Sequence, residues 1–121
     1  MRNPARRFED LVVWQKSHAL TLDIYRRTEA FPRREIYGIT SQVRRAAYSV
    51  PANIAEGFRK RGKNDKLRFL NIAEASLDET RYFLILARDP GFLDPEELFL
   101  QIEQVSKLLD GYTKAIRRDS L

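Results

Sequence analysis

The chain has 121 residues, no cysteine and a single histidine, which excludes a disulfide framework, a thiolate metal site and a multi-histidine metal site. A formal net charge of +5 admits an anionic partner without requiring one. No signal-peptide-like segment follows MRNPARRFED, and no apolar run approaches the ~18 residues of a membrane-spanning helix. The expectation is a cytoplasmic, non-membrane protein of one domain, with residues 1–8 as an N-terminal arm and 118–121 as a C-terminal tail.

Four segments rich in Leu, Ala, Glu, Lys and Arg are separated by clusters of glycine and proline, with no sustained period-two alternation. The first runs from about Asp10 to Ala30. Leu11, Trp14, His18, Leu22 and Tyr25 form one stripe, Val13, Leu20 and Ile24 widen it, and Phe31-Pro32 ends it. The second runs from about Tyr37 to Arg61. Its apolar positions Ile39, Val43, Ala47, Val50, Ile54 and Phe58 keep helical spacing straight through Pro51.

A proline inside a helix removes one amide donor and crowds the carbonyl four residues back, here that of Ala47. Because the stripe keeps its phase, the sequence predicts one helix kinked at Pro51, with Ser49 and Asn53 placed to reach the freed backbone groups. Asn53 and Glu56 also have capping-box spacing, so a break with a helix restarting at Asn53 is the competing reading. Ser49, Pro51, Asn53, Glu56 and Gly57 are thus read first as a structural motif. A functional role for Glu56 would be to orient an arginine or to form a polar contact across a subunit interface.

The third segment runs from Asn64 or Asp65, either of which would serve as its N-cap, to about Arg88; Gly57 or Gly62 would end the helix before it. Its main stripe is Leu70, Ala73, Leu77, Thr80, Leu84 and Ala87. Phe69, Ile72, Phe83 and Leu86 add a second apolar face, which predicts a homo-oligomer interface. The fourth segment opens with Asp94-Pro95-Glu96-Glu97, a cap, a proline at the first helical position and a glutamate at the third, and carries Leu98, Ile102, Val105, Leu109, Tyr112 and Ile116. Short connections favour antiparallel neighbours, so the fold class is all-α: an antiparallel up-and-down four-helix bundle.

Charge is distributed unevenly. Residues 33–68 hold ten basic and three acidic side chains, whereas residues 69–110 hold three basic and nine acidic. The basic set comprises Arg44, Arg45, Arg59, Lys60, Arg61, Lys63, Lys66 and Arg68, and a helical hairpin would bring those from Arg59 onward to one end of the bundle. Such a surface can hold a phosphate backbone by displacing condensed counterions, with arginine adding bidentate contacts.

Catalytic patterns fail on chemistry. GFRKRGKN, Gly57 to Asn64, approximates a phosphate-binding loop, but it lacks the Ser or Thr for magnesium and follows a helix rather than a strand. Ser17, His18 and Asp23 do not form a triad, because adjacent helical residues point about 100° apart. His18 is read as a core or boundary side chain. No Glu-x-x-His motif offers a di-metal site. The expectation is therefore a non-enzymatic protein with no cofactor and no metal.

FEDLVVWQKSHAL (Phe8 to Leu20), FPRREIYGITSQVRRAAYSVPANIAEGFRK (Phe31 to Lys60) and FLNIAEASLDETRYFL (Phe69 to Leu84) resemble the bacterial family of 23S rRNA intervening sequence proteins, with SVPANIAEG the most specific stretch. The resemblance extends from Phe8 to about Tyr112. It implies a four-helix bundle assembling as a homopentamer without established enzymatic activity. It also implies kinship with accessory variability proteins of diversity-generating retroelements, which bind nucleic acid and a reverse transcriptase. Two functional expectations follow. One is an oligomer that binds RNA or DNA, as an accessory to a reverse transcriptase or a structured RNA. The other is a protein-interaction scaffold whose basic segment meets the acidic face of a neighbour.

Overall fold

A computed structural model describes residues 4–119, and among these the backbone forms four α-helices and no strand. They are α1 (Val12–Thr28), α2 (Ile39–Arg59), α3 (Lys63–Arg88) and α4 (Glu96–Arg118), with 3₁₀ turns at Phe8–Asp10 and Arg33–Glu35. Of the expected arm and tail, residues 1–3 and 120–121 lie outside the described residues; Phe8 opens the first 3₁₀ turn and Arg118 closes α4.

Contacts join α1 to α2, α2 to α3, α3 to α4 and α4 back to α1. Partners run in opposite order along every pair. Thr21 meets Ala47 and Thr28 meets Arg44; Ser49 meets Ser76 and Lys66 meets Phe58. Arg81 meets Phe99 and Lys63 meets Arg117; Asp23 meets Gln101 and Arg27 meets Glu97. The result is the expected antiparallel up-and-down bundle. In the α3–α4 turn Gly91 sits at φ 87°, a left-handed conformation that a Cβ would strain.

The core is continuous, with Leu20, Ile24, Val43, Val50, Ile54, Leu70, Leu84, Leu98 and Leu109 fully buried. In α1 the core face is not the expected stripe. Val13, Ser17, Leu20, Thr21, Ile24 and Thr28 point inward, whereas His18, Leu22 and Tyr25 are exposed. The α1 stripe read from the sequence omits Ser17, Thr21 and Thr28, yet each donates to a carbonyl one turn back, which removes the cost of burying it. α4 begins at Glu96 with Pro95 as its N-cap, so the proline precedes the first helical position rather than filling it and Asp94 is not the N-cap, although the Asp94 Oδ1 accepts from the Glu96 amide at 3.2 Å.

α2 runs unbroken through Pro51, so Asn53 restarts no helix. The missing Pro51 amide leaves the Ala47 carbonyl without its helical donor. The Thr21 hydroxyl of α1 reaches the gap, sharing its single proton between the Ser17 carbonyl at 2.8 Å and the Ala47 carbonyl at 3.2 Å. Ser49 and Asn53 do not serve the freed carbonyl. Instead the Asn53 amide donates to the Ser49 carbonyl at 2.8 Å and to its hydroxyl at 3.0 Å, and that hydroxyl shares a 2.9 Å bond with Ser76 of α3. Gly57 lies within α2 rather than ending it, because α3 passes so close that a Cβ there would sit 3.1 Å from Phe69 Cβ. Gly62, in extended conformation, precedes α3, so Asn64 and Asp65 fall inside its first turn and neither is the N-cap. Glu56 is exposed and pairs with no basic side chain among the described residues.

Thr21→Val leaves a buried carbonyl unpaired and is expected to lower unfolding free energy by about 1–2 kcal/mol in urea titration. Pro51→Ala returns the amide to Ala47, so the Thr21→Val penalty should shrink in that background. Equal penalties in both backgrounds would contradict the pairing.

Candidate nucleic-acid interface

The antiparallel order places the N-terminus of α1, the end of α2, the start of α3 and the end of α4 together. Arg59, Lys60, Arg61, Lys63, Lys66 and Arg68 therefore gather at one end, as the hairpin reading expects, and Arg117 and Arg118 join them from α4. Arg44 and Arg45 do not belong to this group. They lie near the other end of α2, with Arg45 about 20 Å from Arg59 at about 1.5 Å per helical residue.

Within the gathered set the lysines and arginines divide by task. Lys63 Nζ donates to the Arg117 carbonyl at 2.9 Å, and Lys66 Nζ donates to the Phe58 carbonyl at 2.8 Å. Each satisfies orphan carbonyls at a helix C-terminus, where a cation also complements the helix dipole. Burial pushes the Lys66 ammonium below its ordinary pKa, consistent with a cation held against protein more than against water. Phe69 is flanked by Lys60 at 5.1 Å and Arg68 at 4.8 Å from its ring centre, so its face carries cations instead of standing bare. Arg59, Lys60, Arg61, Arg117 and Arg118 have no carboxylate within 4.0 Å among the described residues, and Arg68 has only a 3.9 Å approach to Asp65.

A groove of about 380 Å³ opens at this end between apolar walls from Leu11, Phe58, Tyr112 and Ile116, with Arg61, Lys63 and Lys66 at its rim and Asp119 alone contributing negative charge. The first turn of α3 adds its amide dipoles to the same surface. The arrangement suits phosphate: exposed arginines outside, lysines engaged by carbonyls beneath, and apolar walls between. The contribution of Arg117 and Arg118 was hidden because they are distant in sequence, although four antiparallel helices of similar length require it.

The expected interface residues on α3 divide as well. Ile72 and Leu86 are 39% and 42% exposed, whereas Phe69 and Phe83 are half-buried, Phe83 packing against the core. Tyr82, 55% exposed, lies on the same outer face with Ala75 and Glu79. Positions 72, 75, 79, 82 and 86 keep alternating spacings of three and four, a seam of coiled-coil type. Glu79 within this seam and Glu74 and Asp78 beside it have no basic partner among the described residues.

Ser17, His18 and Asp23 are each engaged elsewhere. Ser17 donates to the Trp14 carbonyl at 2.9 Å, and exposed His18 stacks on Trp14 with ring centres 4.9 Å apart. Asp23 binds Gln101 and Arg27; desolvation raises its pKa, but those hydrogen bonds prevail and hold it below the usual value. Among the described residues, no group of three or more His, Cys, Asp or Glu is arranged to hold a metal ion, and no helix is long and apolar enough to cross a membrane.

A solved structure from Bacteroides thetaiotaomicron, described as a protein of unknown function from the S23 ribosomal protein family, is similar to this chain at 25% identity and a TM-score of 0.62. The match covers 87% of this chain and 94% of that one. A search of curated proteins gives no match. The model of the family described as 23S rRNA-intervening sequence protein matches residues 9–111, so its span includes α1, α2, α3 and most of α4. The chain belongs to the 23S rRNA-intervening sequence protein family.

Proposed function

We propose that this protein is a non-enzymatic, homo-oligomeric nucleic-acid-binding protein that grips a phosphate backbone with the basic end of its bundle. The observation that carries the reading is the convergence of Arg59, Lys60, Arg61, Arg117 and Arg118, without acidic partners among the described residues, around the first turn of α3. Unpaired arginines held at one end of a rigid bundle repel one another, and a polyanion relieves that repulsion while releasing counterions. The ligand chemistry is the phosphate backbone of RNA or DNA. A structured RNA or a reverse transcriptase bound to its template is the larger assembly with which such a surface would work. Backbone contacts of this kind carry no base readout, so binding is indifferent to sequence.

The homo-oligomer, proposed as a pentamer, forms through the outer face of α3. Ile72, Tyr82 and Leu86 expose apolar area there that a monomer gains nothing by showing to water. The unpaired acids beside that seam support a second reading, a protein-interaction scaffold in which Arg59 to Lys63 of one copy meets Glu74, Asp78 and Glu79 of the next.

The joint substitution Arg59→Ala/Arg61→Ala is expected to weaken binding to unrelated RNA sequences by about tenfold while leaving the unfolding midpoint in place. Fluorescence anisotropy beside urea titration measures both; unchanged affinity would refute the basic-end reading. Ile72→Glu/Leu86→Glu should reduce the light-scattering mass to that of one chain, whereas an unchanged mass would remove α3 from the interface. If reversing Arg59 and Arg61 to glutamate dissociates the oligomer, the scaffold reading gains instead.

A further inference from the structure

We infer that the acidic seam of α3 in one copy seats on the groove between α1 and α2 of the next, setting Asp78 and Glu79 beside Arg44 and Arg45 around a closed ring. The inference rests on the homo-oligomer reading above and names the face that receives α3. It leaves the basic tip free for a polyanion.

The seam is a poor partner for itself. Glu79 stands at its middle, so two copies joined seam to seam would bring like charges together. Ring symmetry makes the same demand: neighbours in a closed ring of five are not related by a two-fold axis, and each contact joins two different patches. The receiving face must therefore offer apolar area together with uncompensated positive charge. The groove between the C-terminal half of α1 and the N-terminal half of α2 offers both. Tyr25, Ile36 and Tyr48 are exposed along it, and no carboxylate lines it. Arg44 is held there by neutral groups, its Nε donating to Thr28 Oγ1 at 2.8 Å and a terminal nitrogen to the Tyr25 carbonyl at 3.2 Å, so its charge is uncompensated. Arg45 is exposed and has no acidic partner among the described residues.

Height along the bundle decides which cations the acids can reach. The 2.9 Å bond between Ser49 and Ser76 sets α2 and α3 level at that point. From there Arg45 stands about 6 Å and Glu79 about 5 Å toward the same end, at about 1.5 Å per helical residue. Tyr48, Asp78 and Tyr82 fall within about 10 Å of that level on the same side. Copies standing parallel around a ring meet at equal heights, whereas an axial offset generates an open helical array. Arg59 lies about 15 Å from Ser49 in the opposite direction, nearer the tip than any of the three acids. A ring thus matches the acids to Arg44 and Arg45 instead of to Arg59–Lys63. The groove between α1 and α4 is the poorer receiver, because Asp10 lines it and it lies against the first turn of α1, at the tip end.

The chain has no cysteine, so introduced cysteines report the contact directly. Full-length Arg45→Cys and Glu79→Cys chains, co-expressed and treated with a short bis-maleimide, should yield a cross-linked pair that neither variant forms alone. By light-scattering mass across a dilution series, Arg45→Glu and Glu79→Arg should each raise the concentration of half-assembly by about tenfold or more. The combined Arg45→Glu/Glu79→Arg chain should return it to within about threefold of wild type. A wild-type chain that stays monomeric at every concentration overturns the homo-oligomer reading and this inference together, and leaves both faces to a different protein. An oligomer that Ile72→Glu/Leu86→Glu dissociates but Arg45→Glu leaves intact overturns this inference alone. A combined chain that stays dissociated, or a Glu79→Cys chain that cross-links to itself, does the same.

Discussion

Pro51 withholds an amide from the Ala47 carbonyl, and the Thr21 hydroxyl of α1, shared with the Ser17 carbonyl, turns toward it, so the middle of α2 is hydrogen-bonded to a neighbour as well as to itself. That exchange fixes the axial register of α1 against α2. The Asn53–Ser49–Ser76 chain does the same between α2 and α3, and Gly57 removes the atom that would hold their ends apart. SVPANIAEG is thus a packing device in which Asn53 holds Ser49 and Ser49 bonds across to α3. A helix so constrained on two sides ends at a defined height, and the charged turn after it is presented as a rigid tip.

The electrostatics of the tip depend on that rigidity. Two of its lysines are drawn onto helix-terminal carbonyls, where they neutralise partial charges that would oppose an anion. The arginines are left outward, and the C-terminus of α4 doubles the number of chain segments that contribute them. Arginine is the more useful residue for the exposed role, since its planar fork binds phosphate with two donors at once, while the compact ammonium of lysine suits a carbonyl cluster. The acids Glu74, Asp78 and Glu79 of α3 lie on the flank of the bundle, away from the tip.

The architecture was legible because each helix carries a long apolar period and its boundaries carry glycine or proline. Leu98, Ile102, Val105 and Leu109 face the core as their spacing requires. The register was less legible. Thr21 and Ser17 look like surface residues in a hydropathy pattern, and only the geometry of neighbouring carbonyls makes them cheap to bury, so the stripe on α1 was read about one position around the helix. Gly57 resembles a terminator until α3 is known to cross it. In the basic set, sequence proximity correctly joined Arg59 to Arg68 but also enlisted Arg44 and Arg45, which helix rise carries to the far end. It passed over Arg117 and Arg118, which only chain reversal brings near. Which cations are free and which are occupied by carbonyls is a matter of tertiary contact, invisible to composition.

Recognition of a polyanion by the tip is the central property to be measured. The most direct measurement is the affinity of the full chain for a single-stranded RNA across a salt series from about 50 to 300 mM. Five or so phosphate contacts predict that log K falls linearly with log salt with a slope of about −3 to −4 for a single strand. A flat dependence, or no binding at the lowest salt, would contradict it.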